Sequence, residues 1–127
     1  MALTVTGQTL RDGPRNLVRK FTFGGTTGDV TVLSLVDVSA FSATKVKIMR
    51  VHANLSGFSA ALVWDATANV DALGLIAGET DADFSDVGGL INNAGTGVTG
   101  DILLRSDGYT AAAGEDNGHI ILWMKKS

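Results

Sequence analysis

The 127-residue sequence contains no cysteine, which excludes a disulfide framework, a zinc site built on thiolates and a cysteine nucleophile. It also lacks any apolar run approaching the roughly 18 residues of a membrane-spanning helix. Its first residues have neither the basic region nor the long apolar stretch of a secretory signal. We therefore expect a protein made in a cytosol.

Charged residues are scarce as well, at 18% of the chain, and the formal net charge is -3. Lys and Arg form no run longer than the pair Lys125 and Lys126. Sequence-independent binding to nucleic acid needs a cluster of cations that displaces counterions from the phosphates. This composition therefore disfavours a nucleic-acid partner.

Sixteen glycines and a single proline are spread through the whole length, a distribution typical of short strands joined by turns. We predict one all-β domain over residues 1–127, an antiparallel β-sandwich of about eight short strands with a jelly roll as the preferred topology. Residues 1–10 are expected to form an N-terminal arm or an edge strand. The predicted strands cover residues 3–10, 17–23, 30–36, 45–55, 59–64, 71–76, 101–105 and 118–124.

Alternation along these strands predicts which side chains face the core. In residues 17–23, Leu17, Phe21 and Phe23 share one face, and Val18, Lys20 and Thr22 share the other. A change of phase in residues 45–55 predicts a β-bulge near Ile48 and Met49, or burial of both faces. Residues 119–124 are apolar at nearly every position, which predicts a central strand covered on both sides. No window favours more than one helical turn.

The longest stretch without a predicted strand, residues 77–100, is expected to be an ordered surface loop that contacts a partner. Its glycines at 95–100 match G-x-G-x-x-G, but a strand follows them where a dinucleotide site needs a helix, so they predict a turn. Residues 81–86 are rich in carboxylates. We interpret them as acidic turn residues, with a calcium site as the alternative.

No catalytic signature is present in the sequence. His52 and His119 are the only histidines, and nucleophile-elbow and zincin motifs are absent, so we predict that the protein is not an enzyme and needs no cofactor or metal. Trp64 and Trp123 lie in apolar strand runs, which favours core packing for both over sugar stacking.

Four stretches, DGPRNLVRKF at 12–21, VDVSA at 36–40, LVWDAT at 62–67 and GGLINNAG at 88–95, resemble a family of small virion proteins of tailed bacteriophages. The apolar terminal strand that ends in basic residues, WMKK at 123–126, is similar too. The resemblance implies a β-rich structural protein of the phage particle with no catalytic residues to carry over.

The resemblance implies a structural role in the particle without distinguishing head, neck and tail. Within that role we predict capsid decoration, in which a cement protein binds the assembled head shell and stabilises it. The alternatives are a tail or neck component and a carbohydrate-binding sandwich module of the particle. The expected partners are the major capsid protein and further copies of the chain in a homotrimer, with a host-surface glycan as a weaker possibility. The expected location is the outer head surface of the virion, after synthesis in the host bacterial cytoplasm.

Two segments, residues 2–10 and 77–100, are the expected contact surfaces. Arg11, Arg15 and Arg19 make the start of the chain basic, either as solvated arginines beside a turn at 11–16 or as a docking edge for an acidic capsid surface. The predicted contact residues are Leu3, Val5, Arg11, Arg15, Phe84, Leu90, Asn92 and Asn93.

Overall fold

The computed structural model describes residues 3–25, 33–41, 43–107 and 117–126, and within these ranges the chain forms nine β-strands. In chain order they are β1 Leu3–Asp12, β2 Asn16–Gly25, β3 Leu33–Val36, β4 Val46–Ser56, β5 Ser59–Trp64, β6 Val70–Leu75, β7 Gly78–Asp83, β8 Ile102–Asp107 and β9 Asn117–Lys126. The predicted all-β antiparallel sandwich is confirmed. All eight predicted strands are present, although residues 30–32 of the third lie outside the described residues.

The strands form two antiparallel sheets, one in the order β1-β2-β9-β4-β7 and the other in the order β3-β8-β5-β6. The pairings are nested along the chain, because β2 pairs with β9, β3 with β8, β4 with β7 and β5 with β6. A long hairpin of four such pairs, rolled so that alternate pairs fall in opposite sheets, is the jelly-roll topology. β1 adds a fifth strand to one edge of the first sheet.

The core lies between the two sheets and follows from alternation along strands such as β2 and β4. Leu17, Phe21 and Phe23 are buried on β2, as predicted, and Trp64 is 1% exposed on β5. Phe58, in the corner between β4 and β5, packs edge-to-face on Phe23 with the ring centroids 6.0 Å apart. These contacts join the sheets into one apolar layer.

The predicted bulge near Ile48 and Met49 is confirmed by a shift in the β4–β9 register between Ile48 and Arg50. A second bulge lies on β1, between Thr9 and Arg11. Between β1 and β2 the chain turns at 13–15, where the Gly13 N–H donates to the Asn16 carbonyl at 2.8 Å. The glycine-rich segment 95–100 is followed directly by strand β8, as the sequence predicts.

The prediction of an unbroken loop over residues 77–100 is wrong at its start, where β7 pairs with β4 at the edge of the five-stranded sheet. Its sequence, GETDAD, has no alternating large apolar residues, because an edge strand with an exposed face needs few. The prediction of at most one helical turn is also wrong. Two short 3₁₀ turns occur, at Val38–Phe41 and Ser85–Val87.

The last strand is central, but it is buried on one face only. Ile120 and Leu122 lie in the core, whereas His119, Ile121 and Trp123 are half-buried on the outer side of the five-stranded sheet. The prediction that both faces are covered, and that Trp123 packs in the core, is therefore wrong. Within the described ranges no helix has the length and apolarity to cross a membrane.

Candidate functional site

The predicted contact residues fall at opposite edges of the five-stranded sheet. Leu3 and Val5 belong to β1 at one edge, and Phe84 and Leu90 follow β7 at the other. The fold therefore does not gather them into one site. It presents two separate surfaces, joined by the outer face of the sheet between them.

Among the described strands, β1 pairs only with β2, so its other side forms an edge of the sheet. Residues 3–10 contain no charge and no proline, the features that usually prevent an edge from pairing with another strand. Val5 packs half-buried against the core, Leu10 is 50% exposed, and the side chain of Leu3 lies outside the described residues. This edge can accept an extended strand from a partner.

The basic residues near the start of the chain separate into two groups. Arg11 and Arg15 are exposed beside the β1–β2 turn, which is anchored because the Lys126 N–H donates to the Arg15 carbonyl at 2.6 Å. Arg19 instead faces the interior, donates to the Thr9 hydroxyl at 2.6 Å and lies 4.9 Å from the ring centre of Phe41. Burial lowers the pKa of Arg19. Arg19 therefore does not belong to a docking edge.

The segment after β7 is anchored to β4. The Phe84 N–H donates to the Met49 carbonyl at 2.8 Å, and Leu90 exchanges two backbone hydrogen bonds with Ile48, at 2.7 and 3.1 Å. Asn92 accepts the Ala94 N–H at 2.9 Å, and Asn93 is exposed. The predicted contact residues of this segment thus sit on an ordered backbone.

The same segment exposes three large apolar side chains. Val87 is 74% exposed, Ile91 59% and Val98 48%. The backbone that carries them is held in place, because the Thr99 hydroxyl donates to the Asp65 carboxylate at 2.8 Å and the Thr67 N–H donates to the Thr96 carbonyl at 3.1 Å. Exposed apolar residues on a rigid loop are typical of a contact surface, since little entropy is lost when they bind.

The acidic residues of β7 are used within the fold. Arg50 donates to both oxygens of Asp81, at 2.9 and 3.2 Å, and these hydrogen bonds lower the pKa of Asp81. Hydrogen bonds from Ser85 lower the pKa of Asp83. In the described part of the chain, no group of three or more His, Asp or Glu side chains is placed to hold a metal ion. Asp81 and Asp83 thus form hydrogen bonds within the fold, Asp81 across the β4–β7 pair and Asp83 to the turn that follows β7.

Sequence reasoning missed the outer face of the five-stranded sheet. His52 and His119 lie side by side there, with ring centres 5.8 Å apart, and the Arg50 guanidinium lies 5.0 Å from the ring centre of Trp123. The alternation of Val18 and Lys20 with the core residues of β2 predicts that these two side chains lie on the outer face. The uniformly apolar sequence of β9 hid the matching residues on that strand.

Comparison with known proteins adds no relative: no family model, no curated protein and no solved structure matches the chain. The function is therefore argued from the surfaces described above.

Proposed function

We propose that the chain is a virion structural protein that decorates a phage head, binding the assembled capsid shell and stabilising it. The observation that carries this proposal is the exposure of three large apolar side chains, Val87, Ile91 and Val98, on the hydrogen-bonded segment between β7 and β8. Jelly rolls are common in capsid and lectin domains, so the fold is compatible with the proposal but does not discriminate between functions.

The stabilisation follows from mass action. A protein that binds only the assembled shell lowers its free energy by RT ln(1 + [L]/Kd) at each site, and the many sites of a shell multiply the effect. The uncharged β1 edge offers a second contact, by strand addition to the capsid protein or to a further copy of the chain. No covalent step is required.

Co-sedimentation of the purified protein with empty and with expanded phage capsids tests the proposal. Saturable pelleting with heads is the expected result. Pelleting with tails or necks alone would instead assign the chain to those parts of the particle, and binding to neither would reject a virion role.

The variant Val87→Ser/Ile91→Ser/Val98→Ser tests the apolar surface. Its affinity for heads is expected to fall at least about tenfold, since burial of each side chain contributes on the order of 1 kcal/mol or more. Ile76→Ser is the matched control, because Ile76 is 67% exposed in the turn after β6, at the opposite end of the sandwich. Equal weakening by both variants would contradict the assignment of this surface.

A further inference from the structure

The outer face of the five-stranded sheet carries a patch of apolar and cationic residues from three central strands. Since Leu17, Ile120 and Val46 face the core, the residues next to them in sequence face outward. The register pairs Val18 with Trp123. We call this surface the outer-face patch; it consists of Val18, Lys20, Lys47, Ile121, Trp123 and Lys125.

Two bulges shape the patch. Val18 and Trp123 are paired between β2 and β9. The bulge on β1 lies next to Val18, and the bulge on β4 lies next to Trp123. The extra residue on β4 is Met49, and it lines a depression of about 340 Å³ together with Arg11, Trp123 and others. Bulges are frequent where a strand re-aims a side chain towards a ligand or partner.

The residue types in and around the depression are those of a protein interface. Trp, Met and Arg are enriched in interface cores, where most of the binding energy resides. Gly89, from the segment after β7, lies against Met49 and Lys47. The patch is thus continuous with the segment that carries Val87 and Ile91.

Cations are concentrated on this sheet. Nine of the ten Lys and Arg residues lie on its strands or beside their ends, and Arg105 alone lies on the other sheet. Lys47 and Lys125 are directly opposite each other on β4 and β9. Like charges at opposed positions destabilise a sheet. Within the described residues neither lysine forms an ion pair with a carboxylate, so a carboxylate from outside would relieve this repulsion.

We propose that the outer-face patch docks onto an acidic protein surface, which, if the proposed function holds, belongs to the capsid shell. A second copy of the chain is a poor occupant, because two-fold pairing of the patch would place cations against cations. A protein is favoured over nucleic acid, because half of the patch is apolar and its three lysines are few for the counterion release that holds a phosphate backbone.

The test compares Lys125→Glu with Ile76→Asp/Ala77→Asp, two variants that each lower the net charge by two. Ile76 and Ala77 are exposed in the turn after β6, outside the patch and away from the segment that carries Val98. Lys125→Glu is expected to weaken binding to capsids at least about tenfold while its melting temperature does not fall, since the new carboxylate faces Lys47. Ile76→Asp/Ala77→Asp is expected to bind as the wild type does. Equal binding by all three proteins would overturn the inference and leave the proposed function intact.

If the wild type does not bind capsids, the proposed function fails and a soluble probe decides the inference. The acidic copolymer poly(Glu,Tyr) is titrated while tryptophan emission is followed, with Trp123→Phe identifying the signal of Trp123. The inference predicts a saturable, salt-sensitive shift that is lost in Lys125→Glu. No shift, or a stronger response to duplex DNA than to the copolymer, would overturn it.

Discussion

At the scale of single residues, position on the pleat decides the role more than residue type does. Trp64 and Trp123 both lie in apolar runs, yet the first is 1% exposed in the core and the second is half-buried beside Arg50 on the outer face. Successive residues of a strand point to opposite sides of the sheet, so a shift of one position changes the environment completely. Core residues and outward-facing residues are therefore interleaved on the same strands.

Leu104→Ala is expected to lower the free energy of unfolding by about 2–5 kcal/mol, because the side chain is fully buried and its removal leaves a cavity. Ile76→Ala removes an exposed aliphatic side chain and is expected to change stability by no more than about 0.5 kcal/mol. Urea unfolding of both variants measures the difference. Similar values for the two would contradict the assignment of the core.

The Arg105–Asp71 pair predicts a dependence of stability on pH. The two side chains meet at 2.7 and 2.9 Å across β5, and hydrogen bonds from Arg105 lower the pKa of Asp71. A lowered pKa in the folded state stabilises the fold above the unfolded value near 3.9, and this contribution disappears as the pH falls through the folded pKa. Exposed pairs contribute about 1 kcal/mol or less.

Asp71→Asn is therefore expected to flatten the loss of stability below about pH 4, measured as the free energy of unfolding against pH. Adding Arg105→Met to Asp71→Asn should flatten the curve no further, because the carboxylate that titrates is already gone. If the free energy of unfolding of Asp71→Asn fell with pH as steeply as that of the wild type, the result would contradict this role of the pair.

At the scale of elements, the segment between β7 and β8 is fixed by close backbone contacts. Gly100 has a φ of +87°, and a Cβ there would collide with the Thr44 carbonyl oxygen. A Cβ on Gly95, in the same segment, would meet no atom of the described residues within 4 Å. The segment therefore packs closely against the loop before β4 at Gly100, whereas there is space for a side chain at Gly95.

Gly100→Ala is expected to destabilise the fold by about 2 kcal/mol or more, through the left-handed φ and the collision with the backbone. Gly95→Ala is the matched control and is expected to be close to neutral. Thermal unfolding distinguishes them, and a neutral Gly100→Ala would show that the segment is not held as described.

Strands with many buried apolar residues were predictable from sequence. Residues 59–64 and the bulge at Met49 match the structure, because both follow from which side chains must be buried. β7 was not predictable, since GETDAD becomes a strand only through pairing with β4. The outer-face patch depends on register between strands far apart in sequence, which periodicity within one strand does not give.

At the scale of the whole molecule, the nested pairing places strands that are far apart in sequence side by side in the same sheet. β9 lies between β2 and β4, so the end of the chain completes the five-stranded sheet. Such non-local pairing requires loop closure before contacts form, and folding in milliseconds to seconds is typical of this class. Among the described residues, the β1 edge and the outer face of the five-stranded sheet lie on the surface of this sandwich.

Binding to the assembled head is the central claim, and the melting temperature of purified capsid shells, measured with increasing amounts of the protein, tests it most directly. The account predicts a rise that saturates at a fixed ratio of protein to shell subunits and is reduced in Val87→Ser/Ile91→Ser/Val98→Ser. A shell melting temperature that stays unchanged at the highest protein concentration would contradict it.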